Sequence, residues 1–287
     1  MIDAPPPPAI HYTVEGDGET VVLLNGGMMS GFAWEPVAKA LASSYRVVRL
    51  DFRGQLMSPA EPPPDLAGHA ADVISVLDRL HIERAHLVGT SFGALVGLVA
   101  AAEHPDRVLS LVAMTATARL SPQMIEGTRA LRTMAREAAS GGDGGRILDT
   151  IVPATYSQEW IAANAAALSI RRAQVAALPK TWFTGLDALL GALERADPAS
   201  YLTRIRSPTA VVGAEKDLTF PLPNSEELAR SISGSILRVV PGASHGMVLE
   251  RSEETIALLK ELLPELSRRA AAAQGAARIT PDSGAHP

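Results

Sequence analysis

Five consecutive residues, Gly89-Thr90-Ser91-Phe92-Gly93, carry the strongest chemical signal in the chain. They sit between two apolar runs, Ala85 to Val88 before and Phe92 to Ala102 after. A strand that turns abruptly into a helix strains its corner residue, and side chains two positions either side would collide with neighbouring backbone. The corner hydroxyl then stands above the sheet at a helix N-terminus, whose dipole favours a developing negative charge. Ser91 is therefore a candidate nucleophile. The bland alternative is a Gly-Ser-Gly turn, which would require neither the flanking runs nor ordered partners further along.

A nucleophilic serine needs a base, and seven histidines compete for the role. His245 stands in the loop Pro241-Gly242-Ala243-Ser244-His245-Gly246, directly after the strand-like run Ile236 to Val240. Such a loop can deliver an imidazole to the top of a sheet. His104 precedes Pro105 at a helix end, where the helix dipole accounts for it. His86 lies inside the strand leading to Ser91 and reads as packing, while His11, His69, His81 and His286 fall on edge, helix or tail positions. The base in turn needs a carboxylate to hold its tautomer. Asp217 follows the run Thr209 to Val212 and completes the order Ser, Asp, His. Glu215 is the nearest rival, and Asp51, which precedes the serine, reads better as a turn residue.

Acyl transfer also needs donors for an oxyanion. The Phe92 N–H, next to the nucleophile, is one candidate. The loop Asn25-Gly26-Gly27-Met28 after Val21 to Leu24 offers the other, with the Gly27 N–H preferred and Met28 second. A tight Gly-Gly turn would look the same from sequence.

Those residues need elements to hold them in place. Short apolar runs at Val21–Leu24, Val47–Leu50, Ala85–Val88 and Thr209–Val212 end in Asn, Asp or Gly, as buried parallel strands do, and Val108–Met114 and Ile236–Val240 are further strand-like runs. Leu66, Ala70, Val73, Ile74, Leu77 and Leu80 recur at helical spacing, and the helix after Ser91 is apolar nearly all round. Alternation of this kind implies an α/β fold with a parallel sheet covered on both faces. After Ala118 the strand signal stops. Helices are expected from Ser121 to Ala139, Ser157 to Leu178 and Leu186 to Arg195, broken by Gly141 to Gly145. The expected organisation is a core over residues 1–118, a helical insertion over 119–200, the rest of the core over 201–267 and a disordered tail over 268–287. The last helix begins near Ser252 and is expected to end or kink near Pro264. Pro5 to Pro8 read as an extended, mobile leader.

Composition narrows the function. The 287 residues suit one large domain or a domain with an insertion. A net charge of −5, with basic residues scattered, gives no footprint for nucleic acid. With no cysteine, disulfides and thiolate chemistry are excluded. Phe92 to Ala102 is too short for a membrane span, and the N-terminus lacks a secretory pattern, so the cytoplasm is the expected compartment. Nothing in the sequence points to an oligomeric state.

Taken together, these segments resemble the α/β-hydrolase superfamily from about His11 to Leu263. Leu87-Val88-Gly89-Thr90-Ser91-Phe92-Gly93, His104-Pro105-Asp106-Arg107-Val108, Arg206-Ser207-Pro208-Thr209 and Pro241-Gly242-Ala243-Ser244-His245 look like its recurrent blocks. The resemblance implies a cofactor-free enzyme cleaving an ester, lactone, amide or carbon–carbon bond, with the insertion as its cap. Two departures stand out. Asn25-Gly26 replaces the usual His-Gly, and Asp51-Phe52-Arg53-Gly54-Gln55-Leu56-Met57-Ser58 replaces Asp-x-Arg-Gly-x-Gly-x-Ser. The Asn-Gly-x-Met loop is similar to that of acyltransferases that make rhamnolipid precursors.

The leading expectation is a serine hydrolase for a small or medium apolar acyl compound, forming an acyl-enzyme on Ser91 with no metal or cofactor. Trp160, Trp182, Phe183, Met28, Met124 and Met134 are the apolar residues that could line its pocket. The alternatives are an acyltransferase using the same triad, an enol-lactone or carbon–carbon bond hydrolase, and a non-catalytic binder.

Overall fold

The computed structural model describes residues 10–279. Seven strands form one sheet in the order β1-β3-β2-β4-β5-β6-β7. They are β1 (Tyr12–Glu15), β2 (Thr20–Leu24), β3 (Arg46–Leu50), β4 (Ala85–Thr90), β5 (Val108–Met114), β6 (Thr209–Ala214) and β7 (Ile236–Val240). Only β1 pairs antiparallel, with β3. The other pairs are parallel, so the C-terminal ends of β2, β4, β6 and β7 open towards one edge of the sheet. The strand-order reversal lies between β2 and β4, the place where α/β sheets open a crevice.

Both faces are covered. α2 (Leu66–Arg79) and α3 (Phe92–Glu103) lie on one face, where Leu24, Leu87, Leu95, Leu98 and Leu111 meet in a single core. α1 (Glu35–Leu41) and the last helix lie on the other, with Val21, Trp34, Val88, Val212 and Leu262. α3 is buried from Phe92 to Ala102, as a helix apolar on every side must be. Each of its large aliphatic side chains contributes about 1.5–3 kcal/mol by leaving water.

Six helices lie between β5 and β6. They are α4 (Pro122–Ala139), α5 (Gly145–Thr155), α6 (Gln158–Ala163), α7 (Ala165–Ala176), α8 (Lys180–Glu194) and α9 (Ala199–Leu202). The single helix expected from Ser157 to Leu178 is two, because Asn164 leaves helical geometry (φ −111°, ψ 15°) and turns its side chain onto the Trp160 carbonyl. α5 was not expected; Pro153 within it masks the periodicity. α10 (Leu222–Ser231) and the short α11 (Met247–Glu250) follow β6 and β7.

The C-terminal end also differs from expectation. α12 (Ser252–Ile279) runs unbroken through Pro264, so residues 268–279 are helical and not a disordered tail. Buried Leu259, Leu262, Leu263, Leu266 and Ala270 dock the helix on both sides of the proline, which outweighs its missing N–H. The alanine-rich stretch is moreover a strong helix former. The leader expected at Pro5 to Pro8 and the final residues 280–287 lie outside the described residues. No helix among the described residues is long and apolar enough to cross a membrane.

One buried group sets an expectation for acid stability. The His69 ring of α2 packs edge-on to Phe52 and Phe92, and neither ring nitrogen meets a partner among the described residues. Burial, helped by the charge of Arg53, pushes its pKa down to about 3. The unfolded chain should bind this proton near pH 6.5, so between those values it holds more protons than the native state. Stability therefore rises with pH across this window; it is complete above about 6.5 and lost as pH falls towards 3. The full difference is on the order of a few kcal/mol. His69→Leu should flatten urea-unfolding stability between pH 6 and 4, and an unchanged slope would remove His69 as the cause.

Candidate active site

β4 hands over to α3 at Ser91, which adopts φ 52° and ψ −121°. The Ser91 N–H donates to the Met114 carbonyl at 3.0 Å, tying this corner to β5. Glycine is required on both sides. A Cβ at Gly89 would stand 2.5 Å from the Gly93 carbonyl oxygen, and one at Gly93 would stand 2.4 Å from the Leu24 oxygen. The strain is paid for by the packing of α3, and it leaves the hydroxyl projecting from the corner.

His245 reaches this hydroxyl from the loop after β7. Its Nε2 lies 3.0 Å from Ser91 Oγ, and its Nδ1 lies 2.9 Å from Asp217 Oδ2 and 3.1 Å from Oδ1. An ionised carboxylate only accepts, so Nδ1 carries the proton and Nε2 is left to accept from Ser91. Asp217, from the loop after β6, is 4% exposed. Its Oδ1 also accepts from the N–H groups of Thr219 and Phe220, both at 2.8 Å. The Phe220 ring stands edge-on to His245 and closes one side of the pair. Sequence reasoning chose these three residues singly, and the folded chain brings them into one line of hydrogen bonds.

The rivals have other partners. Glu215 accepts from the Gly242 N–H at 2.7 Å and braces the histidine loop from outside. Asp51 accepts from Gly31 N–H, Met57 N–H and Asn25 Nδ2, joining the loops after β2 and β3. His86 lies far down β4 and bonds to Ser110, Glu19 and Ser267. Burial holds its pKa below the usual histidine value, and Glu19 pulls the other way.

The loop after β2 borders the serine. A Cβ on Gly26 would lie 3.7 Å from Ser91 Cβ, and one on Gly27 would lie 3.8 Å from Phe92 Cβ. The N–H groups of Gly27, Met28 and Phe92 have no hydrogen-bond partner among the described residues. Asn25 does not face this space. Its Nδ2 points to the Leu50 carbonyl, Asp51 Oδ1 and Gln55 Oε1. Gln55, 3% exposed, went unremarked as a functional residue. Its amide nitrogen donates to the carbonyls of Gly26 (2.9 Å) and Gly27 (3.3 Å). Its position is one that the superfamily's usual block leaves variable, so no motif marked it.

The helices between β5 and β6 sit against these loops. Leu189 of α8 stands beside Gly27, and the Gly185 backbone presses on Gly54. The end of α5 touches both loops of the His245–Asp217 pair. Thr155 O accepts from the Gly246 N–H at 2.7 Å, and Ala154 O accepts from Thr219 Oγ1 at 3.3 Å. The aromatic residues expected at a pocket take varied places. Phe183 is 2% exposed in the core of the inserted helices, which leaves it no surface for a substrate and corrects that expectation. Its ring fills the space beside Gly144. Trp182 is half-buried against Phe183, Trp160 stacks on Tyr156 at 4.2 Å, and Met28 packs against the inserted helices.

Comparison with known proteins agrees with this architecture. The family model for the α/β hydrolase fold matches residues 19–252, and the chain belongs to that family. It is a hydrolase by the same kinship. The chain is 30% identical over 253 residues to the putative carbamate hydrolase RutD of Caulobacter sp. (strain K31), covering 85% of this chain and 90% of that protein. Among solved structures it is similar to the enol-lactonase from Burkholderia xenovorans LB400, with a TM-score of 0.79, 25% identity and coverage of 89% and 96% of the two chains. A thermophilic esterase from Thermogutta terrifontis matches with a TM-score of 0.79 and 25% identity over 90% and 94% of the two chains.

Proposed function

We propose that the protein is a cofactor-independent serine hydrolase that cleaves an ester or related acyl bond of a small to medium apolar substrate. The observation that carries this reading is the line from Asp217 through His245 to Ser91 beside three amide hydrogens that have no partner among the described residues. Ser91 Oγ attacks the carbonyl carbon as His245 Nε2 takes its proton. The N–H groups of Phe92 and Gly27, with Met28 beside them, receive the negative oxygen. His245 then protonates the leaving group, which departs and leaves an acyl-enzyme. Water, deprotonated by the same imidazole, attacks the ester on Ser91 and releases the acid. Asp217 stays ionised throughout and stabilises the imidazolium.

In this reading residues 119–200 form a cap over the serine, and Met28, Trp182 and Trp160 are its candidate apolar contacts. The likeness to an enol-lactonase supports ring opening of a lactone as a second reading, because the same attack on a cyclic ester leaves the alcohol tethered to the acid. An acyltransferase using the same triad remains the alternative that product partitioning between water and a hydroxyacyl acceptor would separate.

The test is a panel of 4-nitrophenyl esters, lactones and carbamates, followed by intact mass of the protein after brief exposure. The expected result is acid release with a transient acyl adduct on Ser91. Turnover with no adduct under any quench, on a protein whose Ser91 resists a fluorophosphonate, would overturn the reading.

A further inference from the structure

We propose that Gln55 is a positioning residue that aims the oxyanion-binding amides, a role resting on the serine-hydrolase reading above. The argument begins with peptide geometry. In a trans peptide the carbonyl and the following N–H lie in one plane and point opposite ways. The Gly26 carbonyl therefore fixes the direction of the Gly27 N–H, and the Gly27 carbonyl fixes that of the Met28 N–H. Gln55 Nε2 gathers both carbonyls, at 2.9 and 3.3 Å. Both N–H groups must then face away from Gln55, and neither has a partner among the described residues. Ser91 and Phe92 lie against the same two glycines.

Gln55 can do this because its own orientation is forced. Its Oε1 accepts from the Phe52 N–H at 3.0 Å and from Asn25 Nδ2 at 2.9 Å. A flipped amide would set NH₂ against two donors and oxygen against two carbonyls. Asn25 is in turn held by the Leu50 carbonyl at the end of β3 and by Asp51. The loop that carries Gln55 is anchored from outside. Arg53 donates to Asp72 Oδ2 at 2.7 Å and to the Glu61 carbonyl at 3.1 Å, and Ser58 Oγ donates to the Asp51 carbonyl. A glycine loop has many conformations open to it. The Met29 N–H holds the Gly26 carbonyl at 3.1 Å, and a buried amide that gathers this carbonyl together with that of Gly27 restricts the loop further before substrate arrives, which is what preorganised stabilisation of an oxyanion requires. Asn25, which stands where the superfamily usually has His, and Gln55 thus act together, since the Asn25 amide nitrogen donates to the Gln55 oxygen and fixes which way the Gln55 amide faces.

The experiment compares wild type, Gln55→Met, Gln55→Glu and the exposed-neighbour control Leu56→Ala on 4-nitrophenyl acetate, with active sites titrated by a fluorophosphonate. Losing one oxyanion donor costs about 10²–10³ in kcat, so a misaimed pair in Gln55→Met should lower kcat per titrated site by about 10–10²-fold with KM within about twofold. Leu56→Ala should stay near wild type. A purely structural role would instead lower the melting temperature and the titrated fraction, leaving kcat per site intact. Gln55→Glu provides a second signature. Its carboxylate would repel the Gly26 and Gly27 carbonyls, whereas its neutral acid could donate to one. Asp51, which shares Asn25, favours the neutral form. The ratio of variant to wild-type kcat/KM should therefore rise by about tenfold from pH 8 to 6. A flat ratio, or Gln55→Met with wild-type kcat per site, overturns the proposal for Gln55 alone. A wild-type Ser91 inert to the fluorophosphonate overturns the hydrolase reading and this inference with it.

Discussion

Ser91→Ala should lose about 10⁶-fold in ester kcat, the scale seen when a triad nucleophile is removed, and should take no fluorophosphonate label. The fold should survive the change. Among the described residues Ser91 Oγ bonds only to His245 Nε2, while the corner itself is held by the Ser91 N–H on Met114 O and the Leu95 N–H on Ser91 O. Alanine retains those backbone bonds and the Cβ. It also inherits the unfavourable φ of 52°, so no strain is relieved or added. Melting temperature should match wild type within a few degrees. Persistent labelling of the alanine protein, or turnover within tenfold of wild type, would require a different nucleophile.

Asp217→Asn should cost about 10⁴ in kcat, while Glu215→Gln should change it by less than about threefold. The asymmetry follows from donors and acceptors. Thr219 and Phe220 both donate to Asp217 Oδ1, so an asparagine would keep its carbonyl oxygen there. Its NH₂ would then replace Oδ2, 2.9 Å from His245 Nδ1. A donor facing Nδ1 makes that nitrogen the acceptor and moves the proton to Nε2, which then points an N–H at Ser91 and cannot act as base. Glu215→Gln keeps an oxygen for the Gly242 N–H, and Glu215 lies on the exposed side of the loop. Steady-state kinetics on one activated ester reads both variants. A larger loss in Glu215→Gln would reassign the acid.

Much of the core was legible because parallel strands buried on both faces read as plain apolar runs. Val108–Met114 and Ile236–Val240 match β5 and β7 residue for residue. β1 escaped notice because it is short, antiparallel and exposed along its middle, with no run to see. The Ser121-Pro122 start signal marked α4, but helical periodicity missed the break at Asn164, where a side chain competes for a backbone carbonyl. It also could not tell an aromatic facing a pocket from one filling a helical core, so Phe183 was misplaced. At the site, Ser91, Asp217 and His245 could be picked out because a strained corner and two strand-end loops constrain residue type locally. Gln55 could not. Asn25, Gly26 and Gly27, which its amide meets, lie about thirty residues away, and nothing near it in sequence tells of that meeting.

The end of α5 has a consequence for how the molecule can be taken apart. The backbone oxygens of Ala154 and Thr155 hold Thr219 and Gly246, which directly follow the Asp217 and His245 segments. The inserted helices are therefore a spacer gauge, because one short stretch of their chain spans the two loops whose separation sets the 2.9 Å carboxylate–imidazole bond. Grafting a foreign insertion between β5 and β6 would preserve the sheet yet leave that gap uncalibrated, unless the graft presents two carbonyls at the same stations.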